Sequence, residues 1–351
     1  MSRPVPPGDR RYTLIMRLIA LLVIAPVFAA TAEPVPSNPV SRQLELLSHV
    51  TDGIVGVSAT HIESGRSVSL RGSDPFPMAS TFKVPVGVQI MSLIDSGQLT
   101  LDRMVTLTPQ DFHPGSGKIT EYLFHPGVSL SIENLMELML VVSDNVAADV
   151  MLREAGGPAA VTARMRALGL NGIRVDRSTA RLISDWSGVR TLPPESEWNR
   201  DMWDRLYDAV PEREHMRARR AEWIDPRDTA TPDDMTKLLV HIWNKDLFRP
   251  EHASELLDIM ERCQTGKARI KGLLPAGTDV AHKTGSLGGV VNDVGVITLP
   301  NGLGHVAISV FSKGFTKKEE DAERAIAEIS RTIYDYFVLT ASTPEGTLQA
   351  Q

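Results

Sequence analysis

The apolar residues of this chain recur every second position near both ends and every third or fourth position in between. Ile54 to Ile62 alternates through Val55, Val57 and Ala59, and Ser67 to Leu70 follows as a hairpin partner. Thr278–His282, Val290–Leu299 and His305–Ser312 return to the same period, with Pro300-Asn301-Gly302 as a turn. The middle reads as helices. Val84, Val88, Met91 and Ile94 fall on one stripe after a start close to Ser80, and Pro85 is tolerable there only within a first turn. Ser131–Val142 carries a stripe of Leu135, Leu138, Met139 and Val142 behind a Ser131 N-cap. Further helices begin at Asn145 and Pro158, and Ala322 to Ile333 marks a long C-terminal one. Strands from both ends must pair across the intervening helices. The expected fold is therefore α/β: an antiparallel sheet flanked by helices (45–79 and 275–340), with an all-α domain (80–274) inserted.

Three short strings fall at the boundaries of these elements. Ser80-Thr81-Phe82-Lys83 places a hydroxyl and an amine one helical turn apart, so both project from one face. Ser143-Asp144-Asn145 lies in the turn between two apolar helices, and Lys283-Thr284-Gly285 ends the first late strand. A serine-x-x-lysine match alone arises roughly once or twice by chance in a chain of this length, and each of the others on the order of once in ten or twenty chains. All three in this order form the inventory of a serine acyl-transfer site that uses lysine as its base, with Ser80 as nucleophile.

The N-terminus reads as an export signal over 1–32. Arg3, Arg10, Arg11 and Arg17 precede an apolar run from Leu18 to Phe28, and Ala30-Thr31-Ala32 is a small-x-small cleavage site. The expected location is the periplasm or outside the cell, with a proline- and serine-rich linker over 33–44 and a tail over 341–351. Losing 1–32 moves the formal charge from −6 to −9, which argues against nucleic acid and anionic membranes as partners. The single cysteine, Cys263, leaves no internal disulfide. The histidines lack metal-ligand spacing and Gly288-Gly289 is no phosphate loop, so neither metal nor cofactor is expected. A monomer is the expected state.

Over roughly residues 45–340 the chain resembles class A serine β-lactamases. The three strings are those of that family and of penicillin-binding proteins. Phe76-Pro77-Met78-Ala79 before Ser80 looks like the family's nucleophile segment. Arg174-Val175-Asp176-Arg177 and Asp225-Pro226-Arg227-Asp228 look like the two ends of its Ω-loop. The resemblance implies roles. Lys83 deprotonates Ser80, and Ser143 passes a proton to the leaving nitrogen with Lys283 beside it. Asn145 braces Lys83 and holds the substrate amide. The N–H groups of Ser80 and Ser286 form an oxyanion hole, Thr284 with Lys283 holds the substrate carboxylate, and Arg177 and Asp228 clamp the loop's neck.

The loop itself departs from that pattern. Where the family carries its deacylating glutamate this chain has Thr179, and its loop asparagine falls at Ile183. Neither can activate a water. An insertion over about 184–224 holds four of the five tryptophans, Trp186, Trp198, Trp203 and Trp223. Trp198, Met202, Leu206 and Val210 predict an amphipathic helix, and Arg213–Arg220 a second, exposed one. The insertion reads either as a packed helical lid or as the source of a replacement base among Glu195, Glu197, Glu212, Glu214 and Glu222. The strand after Lys283 also lacks the arginine the family often places there, which implies a weaker grip on carboxylate.

Hydrolysis of penicillins and cephalosporins through an acyl-enzyme on Ser80 is the expected function. The alternatives are a D-alanyl-D-alanine-type peptidase acting on a peptidoglycan-like substrate, and a binding module that reacts with β-lactams and releases them slowly. Thr179 keeps the last alternative open.

Overall fold

The computed structural model describes residues 39–341 apart from Pro114. The expected export signal and the end of the tail lie outside the described residues. Helix α1 (Pro39–Ser48) leads into strands β1 (Ile54–His61), β2 (Ser67–Leu70) and β3 (Phe76–Pro77). The last part of the segment expected as linker is therefore helical. A 3₁₀ turn, Ala79–Phe82, runs directly into α2 (Lys83–Asp95). Next come β4 (Met104–Thr106), α3 (Lys118–Tyr122), β5 (Ser129–Ser131), α4 (Ile132–Val141), α5 (Asn145–Glu154) and α6 (Pro158–Ala167). The insertion follows as α7 (Thr179–Trp186), α8 (Arg200–Asp208) and α9 (Glu212–Glu222). After β6 (Thr229–Ala230), the chain closes with α10 (Pro232–Asn244), α11 (Pro250–Glu261), β7 (Val280–Leu287), β8 (Val290–Thr298), β9 (His305–Lys313) and α12 (Glu319–Ala341).

Five strands form one sheet in the order β2-β1-β9-β8-β7, with every neighbour antiparallel. Because side chains alternate, the central strand β9 serves two cores at once. Val306, Ile308 and Val310 join Leu44 of α1 and Ile326, Ile329, Ile333 and Phe337 of α12 on one face. Ala307 and Phe311 join the helical core on the other. Helix α2 is buried nearly all round, from Lys83 through Ile94, as a helix at the centre of a helical layer must be. Pro85 falls in its first turn and removes no intrahelical hydrogen bond.

Three features differ from the sequence-based expectation. The stretch expected to be all-α contains the short ribbon β4–β5 and the strand β6, which pairs with β3, and its helix α10 packs on the sheet through β1 and β9. Strand β7 runs through Lys283-Thr284-Gly285 to Leu287 instead of ending there, because its register with β8 continues from Val280↔Ile297 to Leu287↔Val290. An additional helix (α7) starts at Thr179, before the insertion, and runs into it, and within the insertion α9 is not simply exposed. His215, Ala218 and Glu222 form its buried face, and Ala180, Trp198, Met202 and Trp203 make a small separate core. Trp198 and Trp203 meet edge to face at 5.1 Å.

Candidate active site

The nucleophile turn is locked from three sides. Met78 N–H donates to the Asp228 carbonyl (2.9 Å), and Asn292 Nδ2 donates to the carbonyls of Pro77 (2.8 Å) and Met78 (2.9 Å). Strand β7 then presses its Gly285 against the turn. A Cβ at that position would come within 2.6 Å of Met78 O and 3.0 Å of Ser80 N, so only glycine permits this approach. The contact brings the backbone N–H of Ser80, in the turn before α2, beside the strand that carries Ser286. Ala79 holds a positive φ of 45°, a strained conformation for a residue with a Cβ.

Lys83, fully buried at the start of α2, reaches the turn between α4 and α5. Its Nζ donates to Ser143 O (2.7 Å), Asn145 Oδ1 (2.9 Å), Ser143 Oγ (3.2 Å) and Asp144 O (3.3 Å). That turn is built by Asp144, whose side chain caps α5 through Ala147 N and also receives Ile119 N, each at 2.8 Å. Ser143 sits at φ 61°. Lys283 Nζ donates to the same Ser143 Oγ at 3.0 Å and to Thr284 O at 2.8 Å. One hydroxyl therefore lies between two buried amines. Burial, and then the Lys283 charge, hold Lys83 well below the ordinary lysine range, against the pull of Asp144 and Asp149. Burial also lowers Lys283, to about 8, while Cys263 and Asp293 oppose the shift.

The structure thus brings Lys83, Ser143, Asn145 and Lys283 into direct contact. Thr284 lies next along β7, its Oγ1 2.6 Å from Thr265 Oγ1. Ser286 Oγ is exposed and accepts from Arg269 Nη2 at 2.6 Å. Arg269 is itself buried and paired with Glu319 at 3.1 Å and Glu323 at 3.0 Å. It comes not from β8 but from the loop after α11, and it also donates to the carbonyls of Gly285 (3.2 Å) and Asn292 (3.0 Å). No periodic signal in the sequence marks Arg269 or Asn292.

The loop neck is closed as expected. Arg177 Nε donates to Asp228 Oδ2 at 2.6 Å, and Asp228 Oδ1 receives the N–H groups of Asp176 (2.7 Å) and Arg177 (3.0 Å). The insertion adds to this clamp. Glu222 takes Arg177 through two hydrogen bonds of 3.0 Å, so it is an ion-pair partner and not a free base. Glu195 pairs with Arg181 at 2.8 Å, and Glu214 faces Arg190 and Arg213. Thr179 begins α7, and its backbone N–H and that of Ala180 donate to Asp149 at 2.6 and 2.9 Å. Asp149 also lies 3.1 Å from His113. Sequence reasoning passed over Asp149, although it stands four residues after Asn145 on the same helix and so shares its face.

Beside this constellation a cleft of about 370 Å³ is walled by Ser286 of β7 and by Ile183, Trp186, Trp203 and Tyr207 of the insertion. Trp186 and Trp223 lean on the β7–β8 hairpin. Trp223 Nε1 donates to Gly288 O at 2.9 Å, and a Cβ at Gly289 (φ 78°) would strike the Trp223 ring. Among the described residues no cluster of side chains could hold a metal ion, and no helix is long and apolar enough to cross a membrane.

A serine and a lysine one turn apart, a second serine shared by two lysines, and a sheet edge beside the nucleophile turn define a penicillin-recognising serine hydrolase. The model of the beta-lactamase enzyme family matches residues 39–337, and the chain belongs to that family, in its class A branch. It is similar to beta-lactamase VEB-1 of Pseudomonas aeruginosa, 26% identical over 92% of this chain and 99% of that one. Among solved structures it resembles a beta-lactamase from Chitinophaga pinensis, with 27% identity and a TM-score of 0.72 over 85% of this chain and 99% of that one. It also resembles an ancestral class A enzyme, the reconstructed last common ancestor of Gram-negative bacteria, with 30% identity and a TM-score of 0.69 over 85% and 99%. The chain is a β-lactam-hydrolysing enzyme.

Proposed function

We propose that the chain opens the ring of penicillins and cephalosporins through an acyl-enzyme on Ser80, and that release of the acyl group limits turnover. The observation that carries the first half is Ser143 Oγ, held 3.2 Å from Lys83 Nζ and 3.0 Å from Lys283 Nζ. Lys83, its neutral form favoured by burial and by Lys283, takes the Ser80 proton as Ser80 Oγ adds to the lactam carbonyl. The proton then passes through Ser143 Oγ to the lactam nitrogen as the C–N bond breaks. The N–H groups of Ser80 and Ser286 receive the carbonyl oxygen, a contribution commonly worth about 3–4 kcal/mol per donor. Lys283 and Thr284 hold the substrate carboxylate.

Thr179 supports the second half. A general base is typically worth about 100- to 10,000-fold, and threonine supplies none. Glu222 and Glu195 are engaged by Arg177 and Arg181. Rapid acylation should therefore give a burst, followed by a slow steady phase. Intact mass spectrometry after mixing with a penicillin tests this: one added β-lactam is expected, absent from Ser80→Ala. An adduct that survives in the variant would remove Ser80 as nucleophile, and turnover without a burst would remove slow release. The order of residues 1–32 supports export with a mature start near Glu33. N-terminal sequencing of protein recovered from the periplasm or the medium tests it, and an intact Met1 on cytosolic protein would refute it.

A further inference from the structure

The cleft beside the acyl-transfer groups has one charged wall. Of the described residues that line it, only Glu319, the first residue of α12, carries a charge. The others are apolar, aromatic or small, with Trp186, Trp203 and Tyr207 the largest. Glu319 is held in place. Its Oε1 accepts from Ser286 Oγ and from Arg269 Nη2, each at 3.1 Å, and the same Nη2 donates to Ser286 Oγ at 2.6 Å. Arg269, Ser286 and Glu319 thus close a triangle at the edge of β7. Arg269 brings one positive charge to two carboxylates, since its Nε also donates to Glu323 at 3.0 Å. One negative charge is left over. It falls to the carboxylate that faces solvent, because the Glu319 side chain is 54% exposed against 22% for Glu323.

The order of residues along β7 brings the acyl side chain of a substrate to this wall. Lys283 and Thr284 stand where the ring carboxylate is proposed to bind, Ser286 follows, and Leu287 and Gly288 continue into the cleft. On the opposite bank, Gly115 lines the cleft and packs on the Asn145 amide. A Cβ on Gly115 would come within 2.2 Å of Asn145 Nδ2. A β-lactam whose side-chain amide lies between Asn145 and β7 therefore projects its side chain into the space that Glu319 bounds. Other charged or titratable groups stand nearby without lining the cleft. Arg219 lies over the Trp186 ring at 4.5 Å, and His215 packs against Tyr207. Lys317 and Lys318 precede α12, and Glu320 and Asp321 follow Glu319 within its first turn.

We propose that Glu319 is a specificity-determining residue, through which the cleft favours β-lactams with a cationic acyl side chain over those with an anionic one. This rests on the reading of the site as one that is acylated by penicillins. A side-chain ammonium is attracted by the Glu319 carboxylate and is compatible with the aromatic walls, as the Arg219 guanidinium over Trp186 already is. A carboxylate in the same place meets like charge. The ring carboxylate is common to all of these substrates, so the discrimination arises at the side chain alone. Glu319 is exposed and shares Arg269, so the preference is modest and weakens with salt.

Three penicillins that differ only at the carbon next to the side-chain carbonyl supply the probe. Benzylpenicillin carries hydrogen there, ampicillin an ammonium and carbenicillin a carboxylate. The second-order rate constant of acylation is measured for each by intact mass at about pH 6, where the ammonium is charged. Ampicillin should exceed carbenicillin by about tenfold, with benzylpenicillin between them. The ratio should fall at least about twofold between about 20 mM and about 500 mM salt. Glu319→Gln keeps an acceptor for Ser286 and Arg269 and removes the charge, so it should reduce the ratio by about fivefold, and Glu319→Lys should invert the preference. A ratio unchanged in Glu319→Gln would overturn the proposal. So would an equal change for all three penicillins, which would assign Glu319 to the ring carboxylate or to the placement of Ser286. Absence of any adduct with all three on the wild type would instead remove the penicillin reading, and this proposal with it.

Discussion

Arg177 and Glu222 meet through two parallel hydrogen bonds, Nη1 to Oε1 and Nη2 to Oε2, each 3.0 Å, with both side chains almost wholly buried. Arg177 belongs to the loop neck and Glu222 to the last turn of α9. The insertion is therefore fastened to the clamp that it interrupts. Burial pushes the Glu222 carboxyl up, while Arg177 pulls it down. Glu222→Gln keeps the shape and removes the charge. Loss of a charged hydrogen bond predicts about 1–3 kcal/mol of lost stability. The urea midpoint should fall at unchanged slope, and turnover should drop by less than about tenfold because the residue serves no proton transfer.

Lys283 sets a pH limit. Its amine is held at about 8, so the ammonium that donates to Ser143, and that is proposed to hold the substrate carboxylate, is present below that pH and lost above it. The basic limb of kcat/KM should fall near pH 8, mainly through KM. Lys283→Arg, which stays charged, should move that limb up by more than about one pH unit. An unmoved limb would assign it to another group.

Asp149 acts on the opposite limb. Its charge favours protonated Lys83, so Asp149→Asn should lower Lys83 further and make the neutral amine available at lower pH. The acid limb of the acylation rate, measured by stopped flow, should move down. The substitution also weakens the cap on Thr179 and Ala180, for a loss of about 1 kcal/mol in unfolding.

The fold was largely legible because periods of two and of three to four are dictated by burial, and the burial is real: β9 feeds two cores and α2 is enclosed. The lysine–serine constellation was legible because its members lie in short strings. Arg269, Asn292 and the His282–Asp293 pair were not, since each acquires its meaning only when separate segments close on one another. Val290-Val291-Asn292-Asp293 carries no arginine, and Arg269, which reaches β7 from another loop, is paired with Glu319 and Glu323. Helix α7 carries its N-cap locally, in Ser178 before Thr179, and takes a second support from Asp149, thirty residues earlier.

Gly285→Ala should separate folding from catalysis. The added methyl meets backbone, Met78 O at 2.6 Å and Ser80 N at 3.0 Å, and no flexible side chain can yield. The strand must shift from the turn, and misplacement by about 1 Å can cost on the order of 100-fold in rate. Acylation should slow by about that factor while far-ultraviolet circular dichroism stays as in the wild type.

Thr179→Glu tests the limiting step. A carboxylate at the start of α7 should raise the steady-state rate by about 100-fold or more and leave the burst amplitude intact. An unchanged steady phase would mean that a glutamate side chain at this position does not reach the acyl ester.

The tryptophans of the insertion have a mechanical consequence. Trp223 is tied to Gly288 O and seated on Gly289, in the hairpin directly after Ser286, while Arg177 anchors the other root of the same loop to Asp228. The two banks of the cleft are thus tied to each other through Trp223, while Arg177 and Asp228 close the loop at its own neck. Outward movement of the loop must either break the Trp223–Gly288 hydrogen bond or haul the hairpin, and with it the Ser286 amide, along. With that bond intact, the width of the cleft is set by the side chains that line it, Trp186 and Tyr207 among them.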